Sequence, residues 1–370
     1  MTRSSRHERD GSISPTEPLV HGPKAVHERG IRRLIRTFEY LSVVRYSGRN
    51  YLQDRFSHRC ESMPRSKKRP GQIPLKPLKR FDFGLVNNKL DGFIFNVNRD
   101  LERKAEECFR RGHRAMEQCF SLLRAFLNFA NNSYRAMRHL VADSPEDAKL
   151  DPKFVLVVPT VSRQLVDILC TIVYMLDELV PRAKAYQRAG YRELRDMQHL
   201  YKTNFSGDST WKDYFKVIEN ELTKMVEYMK ITDEEVKDPT LISFWKHPFE
   251  LKNEQTKSRD YLRYLDKWLY WDLSAQSHLS FAGLLKAWPV LVAEDVGGEA
   301  KQMVDNRFLP QFRGHAIGVM AVIVLAIATE IDTHCKLGNT QSADYLWIMF
   351  GEYIPEAKEM YELRYQNRQR

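Results

Sequence analysis

Ala316–Thr329 runs fourteen residues without a charge, A-I-G-V-M-A-V-I-V-L-A-I-A-T. Arg313 and His315 precede it and Glu330 and Asp332 follow. A helix apolar on every side must be wrapped by other elements or by lipid. Fourteen residues make about 21 Å of helix, short of a bilayer core of about 30 Å, so the expectation is no transmembrane segment. The stretch therefore predicts the central rod of an all-α, multi-helix bundle, a core helix over about 312–336 ringed by amphipathic helices and stopped by Gly338.

The rest of the chain supplies candidates for that ring. Residues 99–141 carry Phe109, Met116, Phe120, Leu123, Phe126, Leu127, Ala130 and Tyr134 three or four apart, one long helical pattern. Phe81–Val97, with Gly84 and Gly92, reads as irregular or a short helix. Pro159–Leu179 has proline at its start, where the missing N–H costs nothing. Further helices are expected over 182–201, 211–229, 258–286, 300–308, 343–352 and 355–366. No stretch alternates with period two, and Val155–Val158 is too short to build a sheet.

Charge divides the chain. Residues 1–80 hold 19 Lys and Arg against 7 Asp and Glu, whereas residues 81–370 hold 39 against 41. The net charge of +10 therefore belongs to a basic N-terminal arm, expected to be largely disordered. Within it Ile31, Leu34, Ile35, Phe38 and Leu41 mark a short amphipathic helix, and Pro64, Pro70, Pro74 and Pro77 a linker. The arm either contacts nucleic acid or an anionic surface, or is a solvated tail. Residues 1–62 contain eleven Arg and one Lys, residues 63–370 twenty-three of each. That break would also arise if Met63 were the native start. The domain division is thus 1–80, arm and linker, and 81–370, helical domain.

Five scattered cysteines, none in a C-x-x-C pair, argue against a disulfide framework or a cysteine zinc site. With no apolar signal segment, a cytoplasmic location is expected. Phosphate-binding glycine loops, G-x-S-x-G and H-E-x-x-H are all missing, which lowers the odds of a nucleotide-dependent enzyme, an α/β-hydrolase or a zincin. No cofactor is expected.

Three polar pairs interrupt apolar helices. Arg163 and Asp167 lie one turn apart, as do Ser274 and His278, the latter beside Tyr270, Trp271 and Phe281. Glu330 and His334 end the core helix. Each has a plain reading: a local ion pair, a satisfied core histidine, and the point where the core helix emerges into water. The sharper readings are a pocket between helices formed by Arg163, Asp167, Ser274 and His278, and a carboxylate–histidine metal site using Asp167, Glu330 and His334. Two ligands do not define a metal site, so no metal is assigned.

The segments S-R-Q-L-V-D-I-L-C-T-I-V-Y-M-L (162–176) and Y-W-D-L-S-A-Q-S-H-L-S (270–280) resemble a widespread bacterial helical family that pairs an R-x-x-x-E helix with a later L-S-x-x-x-H segment. Asp167 stands where that family has glutamate. The resemblance covers roughly residues 100–340 and extends distantly to HEPN-type domains, some of them ribonucleases of toxin–antitoxin and phage-defence systems. It implies a binding, regulatory or defence-associated helical domain, or alternatively a HEPN-like ribonuclease, with RNA or another protein as partner and a homodimer among the assemblies. The nuclease signature, an arginine followed by a histidine four to six residues later, is met formally by Arg192 and His199, but glutamate follows Arg192. Arg135 and His139 are too close. The motif itself does not support cleavage.

Overall fold

A computed structural model describes residues 83–141, 152–207, 211–246, 248–278, 280–296 and 298–366. The expectations for the basic arm and for a start at Met63 lie outside these residues. The described residues form helices and no strand. They are α1 Phe83–Arg110, α2 Arg114–Val141, α3 Val158–Asp177, α4 Leu179–Phe205, α5 Lys212–Met229, α6 Asp233–Lys237, α7 Pro248–Leu251, α8 Arg259–Leu265, α9 Trp271–Ser277, α10 Phe281–Val296, α11 Gly298–Met303, α12 Leu309–Cys335, α13 Thr340–Tyr353 and α14 Pro355–Met360. Chain contacts separate a main unit, 71–291 with 307–370, from a second unit of which residues 292–306 hold the only described part, chiefly α11.

The expected core helix is α12. Every residue from Ile317 to Asp332 is buried. Helices α1, α2, α3 and α13 pack around it. Burying each Leu, Ile or Val here contributes about 1.5–3 kcal/mol relative to exposure. At Gly318 the packing is so close that a Cβ would stand 2.5 Å from the Ile354 side chain. The helix stops at Lys336, which is left-handed at φ 51°, with Gly338 at φ 91° two residues on. By length and composition 154–177 and 304–335 both pass for membrane spans. In the second, 78 % of the apolar window is already buried inside the protein, which is the environment a core helix seeks.

The structure corrects two sequence-derived boundaries. The single helix expected over 99–141 is two helices, α1 and α2, folded against each other. Gly112 takes φ +77°, a turn that a glycine adopts without Cβ strain, and the His113 N–H closes on the Cys108 carbonyl at 2.8 Å. Likewise 258–286 is not continuous. A π-turn over Asp266–Tyr270 joins α8 to α9, and the chain reverses before α10. Ser280 holds that reversal. Its hydroxyl donates to the Ala275 carbonyl at 2.8 Å and accepts from the Gly283 N–H at 3.2 Å, an N-cap in all but name.

A satellite hangs on α4. Tyr191, Leu222, Ile231 and Ile242 form a small separate core among α4, α5 and the turns after it. Its hairpin is pinned by Phe205 stacked on Trp211 at 4.7 Å and by Tyr201 and Tyr214 around them. The capping box of Thr232 and Glu235 starts α6.

Candidate functional site

Helix α3 and the α8–α9 segment lie side by side and antiparallel. At one end Asp177 accepts from the Ser258 hydroxyl at 2.9 Å and from its backbone N–H at 3.2 Å. Toward the other, the Arg163 Nη2 donates to the Tyr270 Oη at 2.6 Å. The guanidinium also lies 5.0 Å from the centre of the Tyr270 ring. Its Nε is buried and makes no hydrogen bond. An arginine so placed has committed one arm and keeps donor capacity in reserve.

The four residues singled out from sequence are distributed along this seam. Arg163 and Asp167 are half-buried on α3, and Ser274 is half-buried on α9. His278 is exposed at the C-terminal end of α9, where its N–H bonds the Ser274 carbonyl at 3.0 Å. Arg163 meets Tyr270, one turn before Ser274. His278 lies eight residues beyond Tyr270, about 12 Å further along a helix axis. The arrangement is a polar groove line with Arg163 at one point and His278 at its rim. Tyr270 is the member that sequence reasoning left as a neighbour; its place in the stripe 270, 274, 278 is the signal that marks it.

The pair at the end of α12 behaves otherwise. Glu330 is 2 % exposed and is held by Arg364, with Nε to Oε1 at 3.0 Å and Nη2 to Oε2 at 3.2 Å. The same Nη2 reaches the Ser258 hydroxyl at 2.9 Å, and the guanidinium lies 4.9 Å from the Tyr261 ring centre. Arg182 approaches Asp177 at 3.9 Å, so a chain of charges links α12, the C-terminal segment, α8 and α3. The expectation that α12 emerges into water at Glu330 therefore fails. The helix stays buried through Asp332, and His334 is the exposed residue. With its carboxylate gripped by two N–H groups, Glu330 is poorly placed to ligate a metal. Among the described residues no group of three or more His, Cys, Asp or Glu is arranged to hold one.

A second buried carboxylate closes the same end. Asp332, 1 % exposed, accepts from the Asn339 backbone and side-chain N–H groups, both at 3.1 Å. The Asn339 amide also donates to Asp100 at 3.1 Å. Burial outweighs these bonds and raises the Asp332 carboxyl above its ordinary range.

Arg192, half of the formal nuclease pair, is engaged elsewhere. It donates to the Ile242 carbonyl at 2.6 Å and lies 3.5 Å from the centre of the Phe244 ring, tying the satellite together, while His199 is exposed. The described cysteines 108, 119, 170 and 335 are free thiols. Burial pushes Cys119 up to about 11 and Cys335 to about 12, and raises Cys170 too, with Asp167 and Asp266 adding to it. Such thiols are poor nucleophiles at neutral pH. No family model matches the chain, no curated protein matches it, and no solved structure does.

Proposed function

We propose that this protein works by binding, as a regulatory or defence-associated helical domain, and that its ligand is RNA held at the α3–α9 seam. One observation carries the reading. Arg163 is a half-buried cation with one arm on Tyr270 and a buried N–H still unused, beside half-buried Ser274 and within reach of solvent. Guanidinium groups recognise phosphate oxygens through several N–H donors at once. The resemblance to HEPN-type domains favours RNA among phosphate-bearing ligands. The ribonuclease alternative loses support where Arg192 is occupied with the satellite, since its formal partner His199 is then left without an arginine poised on phosphate.

The test is fluorescence anisotropy with a labelled single-stranded RNA of about 16 nucleotides, a length matched to such binding sites. Expected is binding by the wild type, weakened about tenfold or more in Arg163→Gln, since a charge-assisted bond is lost. Arg192→Gln should bind as the wild type does, and the RNA should stay intact throughout. Absence of binding, or equal affinity in Arg163→Gln, contradicts the reading. Cleavage abolished by His278→Ala would transfer the assignment to the ribonuclease alternative.

A further inference from the structure

The α9–α10 hairpin presents apolar surface that the bundle does not cover. Phe281 is 76 % exposed and Trp271 69 % exposed, the two largest such values among the described large hydrophobic residues. Residues 281–291 of α10, F-A-G-L-L-K-A-W-P-V-L, form an apolar helix with a single charge, Lys286. That charge is matched, because Lys286 binds Asp272 at 2.5 Å. Leu284, Leu285 and Trp288 are only half-buried, and Leu291 is exposed. Sequence this apolar is normally enclosed, as α12 is. Here one side is left open.

The hairpin itself is rigid. A Cβ at Gly283 would collide with the backbone of Ala275 and Gln276, so the two helices approach as closely as glycine permits. The exposed rings are therefore displayed by a fixed support. Along the outward side of α8 and α9, Arg263 and Lys267 are also exposed, one turn and two turns before Trp271. Indole and phenyl rings beside aliphatic side chains, bordered by long cationic side chains, match the chemistry of a bilayer interface.

We infer that this face docks on an anionic lipid surface, with Trp271 and Phe281 entering the headgroup region. Charge complementarity selects this occupant. The N-terminal 80 residues carry a surplus of 12 positive charges, and basic residues near an anionic leaflet each add attraction. Neither signal suffices alone, but an apolar anchor and a basic segment in one chain together give stable attachment. A single-stranded nucleic acid would use the charge and Trp271 but leave the aliphatic flank of α10 uncovered. A second copy of the chain would cover that flank but gain nothing from the arm. The inference concerns the outward face of the hairpin and stands apart from the RNA reading of the seam.

The experiment is co-sedimentation of the full-length protein with phosphatidylcholine vesicles, with and without phosphatidylserine, at low and high salt. Expected is sedimentation with the serine-containing vesicles alone, reduced by salt, and about tenfold weaker for Trp271→Ala and for Phe281→Ala, in line with loss of one buried ring. Both positions are exposed, so circular dichroism should report an unchanged fold. Protein that stays in the supernatant overturns the proposal, as does sedimentation that neither substitution affects. A dimer by light scattering that Trp271→Ala dissolves assigns the face to a second copy and likewise overturns it. So does RNA affinity lost in the ring variants while vesicle binding persists. Arg163→Gln should leave vesicle binding unchanged, which separates failure here from failure of the seam.

Discussion

The helices around α12 and the satellite on α4 are built from the same kind of element and held together by different forces. In the main core, stability comes from enclosure. Sixteen consecutive residues of α12 are buried, and the few polar groups among them are tied down: Thr329 accepts from the Trp347 indole at 3.1 Å, and Glu330 binds Arg364. In the satellite four buried residues form the core, and rings and ion pairs on half-open surface do the rest. Arg188 pairs with Glu235, and Lys202 with Glu219 at 3.1 Å. Enclosure makes each polar group costly to disturb. Open ion pairs are screened by water and contribute little singly.

The largest expected effect is at the enclosed ion pair. Arg364→Met leaves Glu330 charged and buried without its main partner, and should cost about 3–5 kcal/mol in urea unfolding. Loss below about 1 kcal/mol would mean that water reaches Glu330. Next, Leu325→Ala in the middle of α12 should cost about 2–5 kcal/mol by removing packing and leaving a cavity. Leu222→Ala removes the same atoms from the satellite, where the smaller core can collapse around the gap. It is expected at or below the lower end of that range, about 2 kcal/mol, with hydrogen exchange accelerated in α4–α6 and unchanged in α12. Equal acceleration in α12 would erase the distinction between the regions.

The two regions should also answer acid in opposite senses. Asp332 has its carboxyl raised by burial above 3.8. The folded state therefore binds a proton more tightly than the unfolded chain there. Its favourable contribution is full below that ordinary value and lost as pH rises through the raised one. Glu219 and Glu235 are lowered below 4.5, the first chiefly by the Gln198 side chain and the second by the Thr232 backbone. Their contribution is present above 4.5 and lost as pH falls through the lowered values. Hydrogen exchange between pH 3 and 7 should show the satellite loosening in acid first. Asp332→Asn should flatten the opposing trend at the end of α12. The smallest effect belongs to Lys224→Ala, which breaks an exposed pair with Glu221 and should change stability by less than about 0.5 kcal/mol.

What could be read from the sequence follows the same divide. The α12 rod was legible because fourteen uncharged residues admit few environments. Helices α13 and α14 followed from local period and proline. The break at Gly112 was not, since a single glycine within a strong helical pattern is usually tolerated and its φ is settled by how α1 and α2 pack. The turn at Ser280 depends on one hydroxyl bridging two backbone groups. Among candidate site residues, Arg163 could be singled out as a polar residue on an apolar helix, but Tyr270 is 107 positions away and no periodicity links them. Arg364 had no local mark at all, because its role depends on a carboxylate 34 residues earlier being enclosed. Local pattern reports which face of a helix is apolar; it does not report which distant charge will be waiting there.

The division of labour between the two arginines is the point on which the rest depends: Arg364 holds the fold, and Arg163 faces a ligand. The direct measurement is the thermal unfolding midpoint of Arg364→Met and Arg163→Gln beside the wild type. Expected is a fall of about 10 °C for Arg364→Met and a change within about 2 °C for Arg163→Gln. An equal fall in both would make Arg163 one more internal fastening and would contradict its assignment as the binding residue.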